Sequence, residues 1–196
     1  FQKAISQSAL YKKDIQRLAR QGKSIFEIYD ALTISDIRKA CDLFKPVYDR
    51  TKGEHGFVSL EVSPHLAYDA PRTIRAAERL FQEVDRANVM IKIPATAPGL
   101  EAIRYAIGHG INTNVTLMFS VKHYQDVAKA YLAGLEDCLA RGGKISGIRS
   151  VASVFVSRID TFIDKKLQEK IRNASDESRK QDLETLLGRA ALANAK

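Results

Sequence analysis

Apolar positions along the chain fall into short β-branched runs separated by longer stretches in which apolar and charged residues alternate at helical spacing. Four runs read as strands: 57–62 (FVSLEV), 89–94 (VMIKIP), 111–119 (INTNVTLMF) and 150–156 (SVASVFV). Between them, 70–86 and 98–109 read as crossover helices, with Pro98 suited to a first helical turn. A third helix is predicted over 121–140, N-capped by Ser120 and stopped at Gly142–Gly143. Residues 158–172 and 176–195 form a last helical pair interrupted near "NASD". Residues 1–50 read as several helices, one of them starting at a Ser35 cap before "DIRKACDLFKPVYD". Strand, helix, strand in this order predicts an α/β fold around a parallel sheet, and 196 residues without a low-complexity linker or solenoid repeat predict a single domain over 1–196.

Periodicity alone does not separate an open doubly wound sheet from part of a (β/α)8 barrel. The polar residues inside the strands do. Parallel strands covered on both faces are normally continuous in Val, Ile and Leu. Here Ser59 and Glu61 share one face of the first strand, and Asn112, Asn114 and Thr116 share one face of the third. Lys92 lies near the carboxyl end of the second strand and Ser153 on the fourth. Polar groups on four neighbouring strands, aimed at one place, suit the floor of a barrel-end site. No G-x-G-x-x-G turn or Walker loop follows any strand, which argues against nucleotide binding.

Composition narrows the chemistry. No stretch approaches the eighteen or so uninterrupted apolar residues of a membrane span. The two cysteines, Cys41 and Cys138, have no C-x-x-C partner, so a reducing cytoplasm fits better than a disulfide framework. The four histidines lack metal-ligand spacing. The net charge of +8 arises from basic residues interleaved with acids, as in "KKLQEKIRNASDESRK", a pattern of solvated helix faces. No nucleic-acid-binding motif accompanies it, and phosphorylated small substrates suit the same charge.

Lys92 sits alone in an apolar run, "NVMIKIPAT". It is either the partner of Glu61 in a buried ion pair or an amine nucleophile. A lysine of ordinary pKa, about 10.4, is neutral roughly once in 2,500 molecules at pH 7, and apolar surroundings raise that share. A neutral amine attacks a carbonyl to form a Schiff base, whose protonated nitrogen withdraws electrons while an adjacent C–C bond breaks or forms. Glu61 is the candidate proton carrier, against its role as a plain counter-ion. Asn114 and Thr116 hold substrate hydroxyls and a water, or are satisfied polar residues of the interior. Arg158, in "VFVSRID", grips a phosphate with its planar fork or pairs with Asp160 or Asp164.

The stretches "GFVSLEVSPHLAYD", "NVMIKIPATAPGLEAI", "GINTNVTLMFS" and "SVASVFVSRIDTFID" together resemble transaldolases over almost the whole chain and in the right order. The last stretch is most similar to the plant and actinobacterial type and to transaldolase domains fused to glucose-6-phosphate isomerase. The resemblance implies a (β/α)8 barrel of the class I aldolase type, of which this chain would hold strands three to six. It implies Lys92 as the Schiff-base lysine, Glu61 and Thr116 sharing proton transfer through a water, and Asn114 and Ser153 binding a dihydroxyacetone unit. Phe155 would line the site and Arg158 bind phosphate. The implied reaction moves a three-carbon unit from sedoheptulose 7-phosphate to glyceraldehyde 3-phosphate, giving erythrose 4-phosphate and fructose 6-phosphate, in the pentose phosphate pathway, without cofactor or metal.

The family's first-strand aspartate, its Thr-Ser-Asn-Pro-type second strand and its seventh-strand phosphate ligands have no counterpart in these residues. Both ends therefore read as cut, and the isolated piece is expected to be inactive and poorly stable. Two rivals stay open: a fructose 6-phosphate aldolase that releases the three-carbon unit, and a non-catalytic sugar-phosphate or nucleic-acid-binding piece.

Overall fold

A computed structural model describes residues 2–195; Phe1 and Lys196, the outermost residues of the two ends read as cut, lie outside it. The chain begins with helices α1 (Gln2–Gln7), α2 (Lys12–Arg20) and α3 (Ile25–Arg50), with a 3-10 turn at Ala9–Tyr11. Then β and α alternate: β1 (Val58–Glu61), α4 (Ala70–Val84), β2 (Val89–Pro94), α5 (Ala97–Gly108), β3 (Thr113–Met118), α6 (Val121–Ala140) and β4 (Ser150–Val154). Helices α7 (Ser157–Arg172), α8 (Glu177–Glu184) and α9 (Ala190–Asn194) follow. The four strands are parallel and lie in chain order, β1-β2-β3-β4. All four predicted strands are present, β2 with the predicted bounds and the other three shortened at one or both ends. Consecutive parallel strands joined by helices, in chain order, are the arrangement of part of a (β/α) barrel.

The helices bury one face of the sheet. Leu60 and Val62 of β1 and its exit, Val89, Ile91 and Ile93 of β2, and Val115 of β3 form one cluster with Cys41, Leu80, Val84, Ile103, Ile107 and Val127 of the helices. These strand residues share one parity, so the side chains of the other parity look away from the helices. That second set contains Ser59, Glu61, Lys92, Asn114 and Ser153, none of which belongs to the cluster.

Local chemistry sets the helix ends. Ser120 Oγ accepts the N–H of His123 at 3.2 Å to start α6, and Gly142, at φ 76°, terminates it as expected. Pro98 occupies the first turn of α5 behind the Thr96 cap. Helices α5 and α6 approach so closely that a Cβ on Gly134 would lie 2.7 Å from the Arg104 carbonyl oxygen.

Two expectations are corrected. Ser35 caps no helix: α3 runs unbroken through it from a capping box at Ser24 and Glu27, because Leu32, Ile34, Ile37 and Cys41 continue a single buried stripe. The helix predicted over 176–195 is two helices with a break at Gly188, which adopts φ 69° and donates its N–H to Asp164 of α7 at 3.0 Å. No described helix is long and apolar enough to cross a membrane.

Candidate functional site

Lys92 is the one half-buried residue of β2, whose other five residues are buried. Register sets it directly between Glu61 of β1 and Asn114 of β3. Despite that adjacency, the Glu61 and Lys92 side chains form neither an ion pair nor a hydrogen bond among the described residues. The counter-ion alternative is therefore not what the chain adopts. An amine without a fixed partner, held on a buried strand, is free to meet a ligand.

Asn114 organises the face around it. Its Nδ2 donates to Ser59 Oγ at 3.0 Å, and its Oδ1 accepts from Ser153 Oγ at 3.0 Å. One side chain thus ties β3 to β1 and β4 across the row that carries Lys92. Ser59, given no role from sequence, belongs to this polar row; its shared parity with Glu61 was the signal that located it. Asn112, of the same parity, is used differently. Its amide donates to the Ala87 and Val89 carbonyls and accepts from the Arg149 N–H, so it braces the strand entrances.

Thr116 is 1 % exposed, and its Oγ1 has no hydrogen-bond partner among the described residues. A buried hydroxyl left this way costs about 1–3 kcal/mol, which makes it a natural partner for a water or a substrate oxygen. Glu61, by contrast, is exposed at the end of β1. Tyr29 of α3, absent from the sequence reading, lies within reach of its charge. Burial first, then the charges of Asp30 and Glu61, hold the Tyr29 phenol above its usual range.

The structure sets Arg158 apart from both aspartates offered to it. Asp160 accepts the N–H of Ala191 at 2.8 Å, and Asp164 accepts that of Gly188. The guanidinium lies over the Phe155 ring instead, 4.2 Å from its centroid. Arg158 is exposed at the start of α7, so its donors face outward. Lys92, Glu61, Asn114 and Ser153 thus share the sheet face turned away from the core cluster, with Thr116 near the carboxyl end of β3 and Phe155 and Arg158 just beyond that of β4.

The chain matches the family described as Transaldolase/Fructose-6-phosphate aldolase over residues 1–194. It belongs to that family. It is 48% identical over 196 residues to "Transaldolase" of Trichodesmium erythraeum (strain IMS101), covering all of this chain and 52% of that protein. It is 47% identical over 197 residues to "Transaldolase 2" of Nostoc sp. (strain PCC 7120), again covering all of this chain and 52% of the relative. With "Transaldolase 1" of Streptomyces avermitilis the identity is 48% over 196 residues, 100% of this chain and 50% of the relative. The chain therefore spans about half the length of the curated transaldolases it matches. Within that span lie the lysine strand and its polar neighbours on either side.

Proposed function

We propose that this chain carries the covalent centre of a transaldolase and that Lys92 is its Schiff-base lysine. The observation that supports this most is Lys92 on a buried strand, without a counter-ion among the described residues, in register with Glu61 and Asn114. In this reading Lys92 Nζ attacks the carbonyl of a ketose phosphate. Loss of water from the carbinolamine gives a protonated imine, which accepts the electrons of the breaking C–C bond. An aldose leaves, and the enamine attacks the aldehyde of the acceptor. Water then hydrolyses the imine and frees the lysine.

Glu61 and the unpartnered Thr116 hydroxyl handle the water and the protons of these steps. Asn114 and Ser153, already oriented by each other, hold the hydroxyls of the dihydroxyacetone unit. Phe155 walls the site, and Arg158 binds the phosphate with donors that no carboxylate among the described residues occupies. The donor is sedoheptulose 7-phosphate and the acceptor glyceraldehyde 3-phosphate; residues 1–196 act as one (β/α) unit of a cytoplasmic enzyme. The free, buried thiols of Cys41 and Cys138 agree with a reducing compartment.

Borohydride reduction of the complete protein in the presence of fructose 6-phosphate, followed by peptide mass mapping, tests the assignment. The adduct should fall on Lys92 and vanish in Lys92→Ala; an adduct elsewhere refutes it. The family's description also covers fructose 6-phosphate aldolases. Release of free dihydroxyacetone as the main product, with or without erythrose 4-phosphate, would favour that second activity over transfer.

A further inference from the structure

The end of β3 changes face. Thr113, Asn114 and Val115 pair in step with Ser150, Val151 and Ala152 of β4, but the next pair is Met118 with Val154. Three steps on β3 therefore match two on β4, the signature of a β-bulge at Thr116 and Leu117. Leu117 adopts φ 63°, a left-handed conformation uncommon for a leucine. Without the bulge, strict alternation over the same residues would put Phe119 on the helix side with Thr113 and Val115. The bulge reverses this. Met118 is buried in the helix-side cluster, and Phe119 emerges on the opposite face against Phe155.

There the two rings stack, with centroids 5.3 Å apart and planes 19° from parallel. The other neighbour of Phe155 is the Arg158 guanidinium, 4.2 Å from its centroid. Phe119, Phe155 and Arg158 thus form one stacked column at the carboxyl ends of β3 and β4. A cavity of about 240 Å³ lies beside it, lined by Phe119, Arg158, Ile159, Phe162 and Ile163. Asn194 of α9 donates its Nδ2 to the Phe119 carbonyl and fixes the backbone of this residue from outside. Because Arg158 has no carboxylate partner among the described residues, the aromatic column is what sets the plane of its fork.

We infer that Phe119 is a positioning residue: through Phe155 it orients the Arg158 guanidinium, and so contributes to selection of phosphorylated over unphosphorylated sugars. This rests on the reading of Arg158 as the phosphate contact. An aromatic pair contributes enough beyond its buried area for its loss to weaken phosphate discrimination by roughly two- to tenfold.

The test compares kcat and KM of the complete enzyme for an aldehyde acceptor bearing a terminal phosphate and for the same acceptor without it. Phe119→Leu should lower the ratio of the two kcat/KM values roughly two- to tenfold, mainly through KM for the phosphorylated acceptor. Phe119→Tyr, which keeps the ring face, should retain the ratio. Where Phe119→Leu does not fold, Phe119→Met carries the same expectation. In an Arg158→Ala background the ratio should already be low, and Phe119→Leu should lower it no further. A ratio preserved in Phe119→Leu while Arg158→Ala lowers it would overturn the inference alone. A ratio unmoved by Arg158→Ala would overturn the phosphate reading and the inference with it.

Discussion

Strand β2 lies between two paired neighbours and beneath helices, and five of its six residues are buried; β4 has one paired neighbour, and three of its five residues are exposed. Both strands are rich in aliphatic residues, so composition does not account for the contrast. Position among the four described strands does, β4 being the last of them in a chain that spans about half the length of its relatives. The lysine proposed to form a covalent bond sits on a strand paired along both edges and covered by helices on one face, where backbone register sets it between Glu61 and Asn114. The arginine proposed to hold a phosphate follows β4, the last of the four described strands, and is oriented by an aromatic stack and by a neighbouring segment whose amides occupy Asp160 and Asp164. Bond making requires atoms placed to within a fraction of an ångström, whereas an anion is captured over a broader range of geometries.

The largest effect should come from the covalent centre: Lys92→Ala in the complete enzyme should reduce kcat by about three orders of magnitude or more, read in a coupled assay of aldose release. Retention of activity within tenfold would end the contrast between the two strands. Next is stability. Ile91→Ala, at a fully buried β2 position, should cost about 2–5 kcal/mol in urea unfolding, whereas Val154→Ala, 47 % exposed on β4, should stay within about 0.5 kcal/mol. Equal losses at the two sites would mean that β4 is as tightly held as β2.

Gly134→Ala probes the helices over β2 and β3. Its Cβ would meet the Arg104 carbonyl oxygen at 2.7 Å and Ile107 Cβ at 2.8 Å, so a destabilisation of about 1–3 kcal/mol is expected, readable as a lower Tm. The smallest effect is on pH dependence. Hydrogen bonds from Arg86 to Asp42, and from Arg104 to Asp137, hold these two carboxyls below their usual range. A lowered folded-state pKa contributes stability above the unfolded value, near 3.9 for aspartate, that disappears as pH falls through the folded-state value. Acid titration of Asp42→Asn and Asp137→Asn should show a flatter loss of stability over that window than the parent, and added salt should shrink the difference.

Much of this architecture was legible because burial writes a period into sequence. The period-2 and period-3.6 patterns located each strand and the helices between them, and the shared parity of Asn114 and Thr116 with the polar positions of neighbouring strands located the face that carries Lys92. Ser35 misled because serine is a good cap in isolation, while the buried stripe from Leu32 to Cys41 decides the real helix. The break at Gly188 had a visible signal in the glycine itself, which was outweighed by the helical pattern on either side. Choices among charged partners were not legible. Nothing in the sequence determines that Asp160 and Asp164 take backbone amides and leave Arg158 to an aromatic ring, since that depends on a fold-back by residues more than twenty positions away. The bulge was equally silent, for "TLMF" contains neither glycine nor proline.

The extra residue in β3 also bears on how this strand can change in evolution. In a loop, gaining or losing one residue alters length and little else. At Leu117 the bulge and the residue count offset each other: a one-residue deletion that removed the bulge would leave Met118 and Phe119 on their present faces, whereas straightening the strand at constant length would send a thioether toward the sugar site and a phenyl ring into the packed helical layer. The facing of these two side chains is thus a joint property of the number of residues between Asn114 and Phe119 and of the bulge that takes up one of them, independent of which residues make up the count.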